Sequence, residues 1–155
     1  RATLGDILHS DEGVSDKYTV GPGTWDTLER HKKYHQEQGN GFGYRLLDPE
    51  DPDEVVPTIS ARYHKDGAEA LIRAPSRPRP RRMTPEEIAR AFGFDIDGEF
   101  EFPVSDTQAY QQLGNSIAVP VATALVGSIV EALEEPRPEE QGAAVDKSQV
   151  SEVTV

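Results

Sequence analysis

Arg81-Arg82-Met83-Thr84-Pro85-Glu86-Glu87-Ile88-Ala89-Arg90-Ala91-Phe92-Gly93-Phe94 is the stretch on which the reading of this 155-residue chain turns. Its chemistry is that of a short, firmly started helix. Thr84 can accept from free backbone N–H groups, Glu87 closes a capping box, and Pro85 takes the first helical position, where no N–H is missed. Ile88, Ala91 and Phe92 then share an apolar face, and Gly93 ends the run.

The same logic repeats downstream. Ser105 with Gln108 opens a second capped helix that runs through about Leu113 and stops at Gly114. A last helix is expected from about Ile117 to Glu134, because Ala122, Leu125, Val126, Ile129, Val130 and Leu133 recur at helical spacing. Pro120 is tolerable there only near the first turn. The face is broad and apolar, so it needs a partner surface, and the chain by itself should associate or dissolve poorly. Asn115 and Ser116 fall at the start of this helix. They read either as a plain cap or as polar groups offered to a ligand at a positive dipole end.

Upstream, Arg77-Pro78-Arg79-Pro80 can be neither helix nor inner strand. It is either a solvated, semi-rigid linker or a strap of guanidinium groups on phosphates. Val55 to Tyr63 is rich in β-branched residues and reads as a strand, Lys65-Asp66-Gly67 as a turn, and Ala70 to Ile72 as the returning strand of a hairpin. A helix is expected from about Trp25 to Gln38, capped by Thr24 and ended by Gly39, with Trp25 and Leu28 on its apolar edge. His31 and His35 share a face of it, but Lys32 follows the first His and no third ligand is evident. Solvated or DNA-facing imidazoles, with no metal, are therefore expected. The loop Gly39-Asn40-Gly41-Phe42-Gly43-Tyr44 lacks the spacing and the preceding strand of a dinucleotide fingerprint. It suits positive φ or close approach to another molecule.

Residues 1–22 read as a connector anchored by Leu4, Ile7 and Leu8, and residues 135–155 have the composition of a disordered tail. The formal charge is −12, yet Arg73, Arg77, Arg79, Arg81 and Arg82 make a positive island with no acid between Ala70 and Thr84. A chain this acidic is repelled by nucleic acid at long range, so only that middle could touch phosphate. There is no Cys, which excludes disulfides, thiolate metal sites and a cysteine nucleophile within this chain. No apolar run is expected to approach the ~20 residues of a membrane span. The first residue is Arg1, with no charged-then-apolar leader after it, which suggests a missing upstream part.

Taken together, three stretches resemble the DNA (cytosine-5) methyltransferase family. Arg81 to Phe94 is similar to its ninth motif, and Gln112-Leu113-Gly114-Asn115-Ser116-Ile117-Ala118-Val119-Pro120-Val121 to its tenth. Gly39 to Tyr44 and Thr58 to Glu69 resemble the target-recognition region of the bacterial Dcm type, which methylates the inner cytosine of CCWGG. Leu4-Gly5-Asp6-Ile7-Leu8 resembles the stretch after the eighth motif.

The resemblance implies an α+β fragment: a small irregular β target-recognition domain, residues 23–80, and C-terminal helices, residues 81–134, that complete a Rossmann-like α/β methyltransferase domain. It implies that Gly41, Phe42, Gly43, Tyr44, Arg62 and Lys65 contact duplex DNA. Arg82, Thr84 and Glu87 would brace the recognition domain, and Asn115 and Ser116 would line the S-adenosylmethionine pocket. In the family, a Cys attacks carbon 6 of a flipped cytosine, a Glu of a Glu-Asn-Val motif assists, and an F-x-G-x-G loop carries the cofactor. None of these is in this sequence, nor is the Gln-x-Arg-x-Arg of the eighth motif. The expectation is a bacterial, cytoplasmic, nucleoid-associated enzyme's C-terminal portion, inactive alone, with the N-terminal catalytic portion as partner, no membrane contact and no catalytic residue of its own. A non-catalytic DNA-binding module, a relic of a degraded gene or an acidic interaction protein are the competing readings.

Overall fold

The computed structural model describes residues 3–94 and 101–134. The chain divides into two compact units, Arg1–Ala122 and Thr123–Val155. The first contains α1 (Leu4–Ile7), α2 (Pro22–Glu37), β1 (Leu46–Leu47), β2 (Leu71–Ile72), β3 (Arg81–Arg82), α3 (Pro85–Ala91) and α4 (Asp106–Gly114). Helix α5 (Val119–Glu134) starts in the first unit, and its remainder is the described part of the second. Helices with a small mixed sheet thus replace the expected hairpin. The strand order is β1-β2-β3, with β1 parallel to β2 and β2 antiparallel to β3.

The capped helices form as their local chemistry dictates. In α3 the Glu87 N–H donates to Thr84 Oγ1 (3.2 Å) and the Thr84 N–H donates back to Glu87 Oε2 (2.8 Å), with Pro85 in the first turn. In α4 the Gln108 N–H donates to Ser105 Oγ. Helix α2 begins earlier than expected, at Pro22 with Gly21 as its cap, because Pro at the first position needs no Thr24.

The strand expected over Val55 to Tyr63 is absent. Val55 to Ser60 belongs to no strand, and residues 61–66 are a succession of turns, with Tyr63 N–H on Ser60 O and Gly67 N–H on Tyr63 O. Pro57 cannot donate to a ladder, and β2 finds its partners in β1 and β3 instead.

The connector is folded in. Leu4, Val14 and Tyr18 are buried in the main core with Leu47, Ile59, Tyr63, Ile72, Met83, Ile88, Tyr110 and Leu113. A second cluster joins Val20, Leu28 and Leu71, flanked by Trp25 and Tyr44, whose ring centroids are 4.8 Å apart. Two tyrosines clamp Met83: its N–H donates to Tyr63 Oη (2.8 Å) and its carbonyl accepts from Tyr110 Oη (2.7 Å). The Tyr63 hydroxyl donates onward to Ala70 O at 2.6 Å.

Along α5, Val121, Leu125, Val126, Ile129, Val130 and Leu133 are all exposed. The stretch Asp106–Glu134 contains an 18-residue window of mean hydropathy 1.8, long and apolar enough to cross a membrane by composition. The expectation that no run approaches a span is therefore corrected. Helix α5 itself has 16 residues, about 24 Å at helical rise against a hydrocarbon thickness of about 30 Å. The expected tail, residues 135–155, lies outside the described residues.

Candidate nucleic-acid and cofactor interface

Much of the positive island is turned inward, while Arg73 stays exposed. Arg81 is 1% exposed and meets Glu87, fully buried, in a two-pronged pair: Nη1 donates to Oε2 at 2.8 Å and Nη2 to Oε1 at 2.9 Å. Its Nε donates to Asp11 Oδ1 at 3.0 Å. Burial works against the Arg81 charge, but the Glu87 and Asp11 carboxylates outweigh it and hold the guanidinium's pKa above its ordinary value. Arg77 wraps the segment of residues 11–19, donating to Asp11, Asp16, Thr19 and the Val14 carbonyl. Ser76 adds a hydroxyl contact to Asp11. Burial raises the Asp11 carboxyl, yet Ser76, Arg77 and Arg81 together pull it below the ordinary carboxylate range.

Arg79 donates to Val20 O and Arg73 pairs with Asp48. The Arg-Pro stretch is thus neither a solvated linker nor a phosphate strap. It clasps the N-terminal segment to the sheet.

Thr84 and Glu87 stand together in the α3 cap, but the guanidinium that joins them is Arg81, which the sequence places in the positive island and not among the bracing residues. Arg82 points elsewhere. Its Nη1 donates to His64 O (2.9 Å), its guanidinium lies 5.9 Å from the Tyr110 ring centre, and a Cβ on Gly67 would sit 2.5 Å from its Cγ. Adjacent residues in a strand point to opposite faces, so the pair Arg81-Arg82 serves two different jobs. Only that alternation could have signalled which arginine does which.

The basic groups left over are informative. Arg62 and Lys65 are exposed on the turn of residues 61–66. Their side chains, with that of Lys33, have no hydrogen bond, ion pair or ring contact among the described residues, whereas Arg30, Arg45 and Arg90 are engaged by Asp26, Glu54 and Ile7. The loop of residues 39–44 borders α2. Phe42 is 68% exposed, Gly41 is open, and Tyr44 is half-buried beneath the Lys32 ammonium at 4.1 Å. Gly43 has φ +147, and a Cβ there would lie 2.8 Å from Lys32 Cγ, so only glycine lets the loop lie on the helix.

Asn115 and Ser116 do not open the apolar helix. Asn115 caps the C-terminal end of α4, and Ser116 donates both its N–H and its hydroxyl to Leu113 O. Helix α5 begins only at Val119. The expected positive dipole end is replaced by the negative end of α4. Ser116 lines two cavities: one of about 200 Å³ with Phe94 and Phe102, and one of about 350 Å³ with Thr58, Ile59 and Phe92. The Asn115 amide is exposed and has no partner among the described residues. Mostly apolar walls with a few polar groups fit one side of a small-molecule pocket.

The two regions meet at Gly114. A Cβ on this residue would fall 2.3 Å from Ala61 N and 2.4 Å from Ser60 C, so backbone packs on backbone. This contact seats the turn bearing Arg62 directly against the segment bearing Asn115 and Ser116.

The family model described as C-5 cytosine-specific DNA methylase matches residues 1–131. This chain belongs to the C-5 cytosine-specific DNA methylase family. It is 46% identical over 142 residues to a DNA-cytosine methyltransferase of Escherichia coli strain K12, covering 81% of this chain and 30% of that protein. It is 44% identical over 134 residues to the type II methyltransferase M1.ScrFI of Lactococcus lactis subsp. cremoris, covering 86% and 33%. The crystal structure of the S. pombe Dnmt2 methyltransferase superposes with a TM-score of 0.64 at 19% identity, covering 86% of this chain and 43% of that one, a likeness of fold. The chain spans about a third of the length of the curated relatives it matches.

Proposed function

We propose that this chain is the target-recognition and cofactor-side portion of a DNA (cytosine-5) methyltransferase acting on the inner cytosine of CCWGG in duplex DNA. The observation that carries the reading is the inward use of the guanidinium groups around it, which leaves Arg62 and Lys65 as exposed, unpartnered cations. They stand on the turn that Gly114 seats beside Asn115 and Ser116.

Arg62 reads a guanine edge in the major groove, a contact worth ~1–3 kcal/mol against a wrong base. Lys65 neutralises a nearby phosphate, and Gly41, Phe42, Gly43 and Tyr44 present the second reading loop. Thr84, Glu87 and Arg82 brace these elements, with Arg81 completing the buried lock. S-adenosylmethionine, when bound, supplies the methyl group. The Asn115 amide and Ser116 hydroxyl hold its polar groups at one wall of the apolar cavities.

With no Cys in the chain, the nucleophile comes from the N-terminal catalytic portion, and the chain alone transfers no methyl group. Helix α5 offers its apolar face to that portion, completing a Rossmann-like domain in the bacterial cytoplasm, on the nucleoid, rather than entering a membrane. Mixing the chain with the N-terminal portion of a close relative and measuring tritiated methyl transfer to a CCWGG duplex tests this. Transfer is expected only from the mixture. Its absence with both parts folded overturns the proposal, and a salt-dependent, sequence-specific shift by the chain alone favours a non-catalytic DNA-binding module.

A further inference from the structure

We propose that His31 and His35 form a binding site for a divalent transition-metal ion of the zinc, copper or nickel class at the C-terminal end of α2. The spacing alone, with no third ligand, argued against a metal. The structure adds two things that spacing does not carry.

The first is aim. The two Nε2 atoms face each other at 3.0 Å, with ring centroids 4.3 Å apart. Two nitrogens at ~2.0–2.1 Å from one metal stand about 2.9 Å apart at a right angle and about 3.4 Å apart in a tetrahedron. The observed separation lies between these limits. The His35 ring is also fixed by edge contacts to Tyr34 at 5.3 Å and Phe42 at 5.5 Å, so one ligand is set before the ion arrives.

The second is a matched pair of orphans. His35 Nδ1 and Asn40 Oδ1 are both buried without a hydrogen-bond partner. They lie at the same helix end, where the Asn40 N–H donates to His35 O at 3.0 Å. A metal takes the Nε2 lone pair of each ring and so places the remaining proton on Nδ1. That makes His35 Nδ1 a donor at the same helix end as an acceptor that has none, and a small turn of the Asn40 side chain on metal binding would join them, as outer partners usually orient ligating imidazoles.

Among the described residues no group of three or more His, Asp or Glu could hold a metal. The site therefore has two protein ligands, with water in the remaining positions, and exchanges its ion. Exposed His31 gives the ion access, while the Lys32 ammonium is occupied over the Tyr44 ring. Once bound, the ion ties the last turn of α2 to the loop of residues 39–44 through Asn40 and Phe42. None of this depends on the function proposed above.

Zinc is titrated calorimetrically into the full 155-residue chain, and the electron paramagnetic resonance spectrum of the copper-loaded chain counts nitrogen ligands. One site with two nitrogens is expected. His31→Ala and His35→Ala each weaken zinc binding at least about tenfold, since each removes the chelate, and Asn40→Ala weakens it about tenfold. His9→Ala and His64→Ala change nothing. Exposed His31 can be replaced without loss of helix content, checked by circular dichroism. Zinc affinity in His31→Ala and His35→Ala within about twofold of the parent, or an equal loss in His9→Ala or His64→Ala, overturns the proposal.

Discussion

Replacing Glu87 by Gln removes one charge from a site with almost no access to water, and the structure sets the size of the effect. Four donors converge on this carboxylate: Arg81 Nη1 and Thr84 N on Oε2, both at 2.8 Å, and Arg81 Nη2 and His9 N on Oε1, both at 2.9 Å. A Gln side chain keeps one acceptor oxygen and turns an NH2 group toward the other two donors. Arg81, 1% exposed, is left with Asp11 as its sole anionic partner.

Breaking a buried pair from one side costs about 3–5 kcal/mol, against ~0–1 for an exposed pair. For a unit of this size that is a fall in Tm of roughly 10–20 °C. Urea unfolding followed by the fluorescence of Trp25, the single tryptophan, measures it. A double-mutant cycle with Arg81→Met separates pairing from packing, because the double variant should lose less than the sum of the two single ones. A loss below about 1 kcal/mol for Glu87→Gln would refute the reasoning.

Other perturbations test other parts of the structure. Gly114→Ala, which drives a methyl group onto the Ser60–Ala61 backbone, should cost at least about 1–3 kcal/mol and cut methyl transfer in the reconstituted enzyme; Gly41→Ala, in open space, is the control. Tyr63→Phe strands the Met83 N–H and the Ala70 carbonyl, and a loss of about 1–3 kcal/mol is expected in the same unfolding assay. Arg62→Ala and Lys65→Ala should leave unfolding unchanged within about 0.5 kcal/mol while weakening CCWGG binding in the reconstituted enzyme, read by fluorescence anisotropy.

Stability should also fall in acid. At Asp106, burial raises the carboxyl, but Lys17 and Tyr18 outweigh it, and the folded value is lowered as it is for Asp11. Both groups stabilise fully above the unfolded value near 3.8. They lose that contribution as pH falls through the lower folded values. Asp11→Asn should flatten the acid limb of a stability-against-pH curve.

The helices were legible because their ends are written locally. Thr84, Pro85 and Glu87 specify α3 within four residues, and Ser105 with Gln108 does the same for α4. Of the sheet, only β2 was legible, inside the strand expected over Ala70 to Ile72; the sheet's pairing was not. Its strands have two residues each, and their pairing depends on partners far away in the chain. The β-branched run from Val55 to Tyr63 satisfies strand propensity yet has Pro57 inside it and no neighbour to pair with.

The arginine island could be counted but not aimed. Asp11, which receives Arg77 and Arg81, lies more than sixty residues upstream. The sequence points Asn115 and Ser116 at the wrong helix end because the apolar periodicity of α5 runs backward through Ile117, two residues before the helix begins.

The contact of Gly114 with Ser60 and Ala61 divides what can be exchanged between relatives from what cannot. The loop of residues 39–44 lies outside that contact, so, on the function proposed above, a loop taken from a relative can be spliced in without moving the segment of Asn115 and Ser116. A graft that extends through residue 61 must bring its own matching backbone course, or take its partner glycine with it. On that proposal, new target sequences should be easiest to obtain by shuffling the outer loop, with the turn beneath it inherited as a fixed joint.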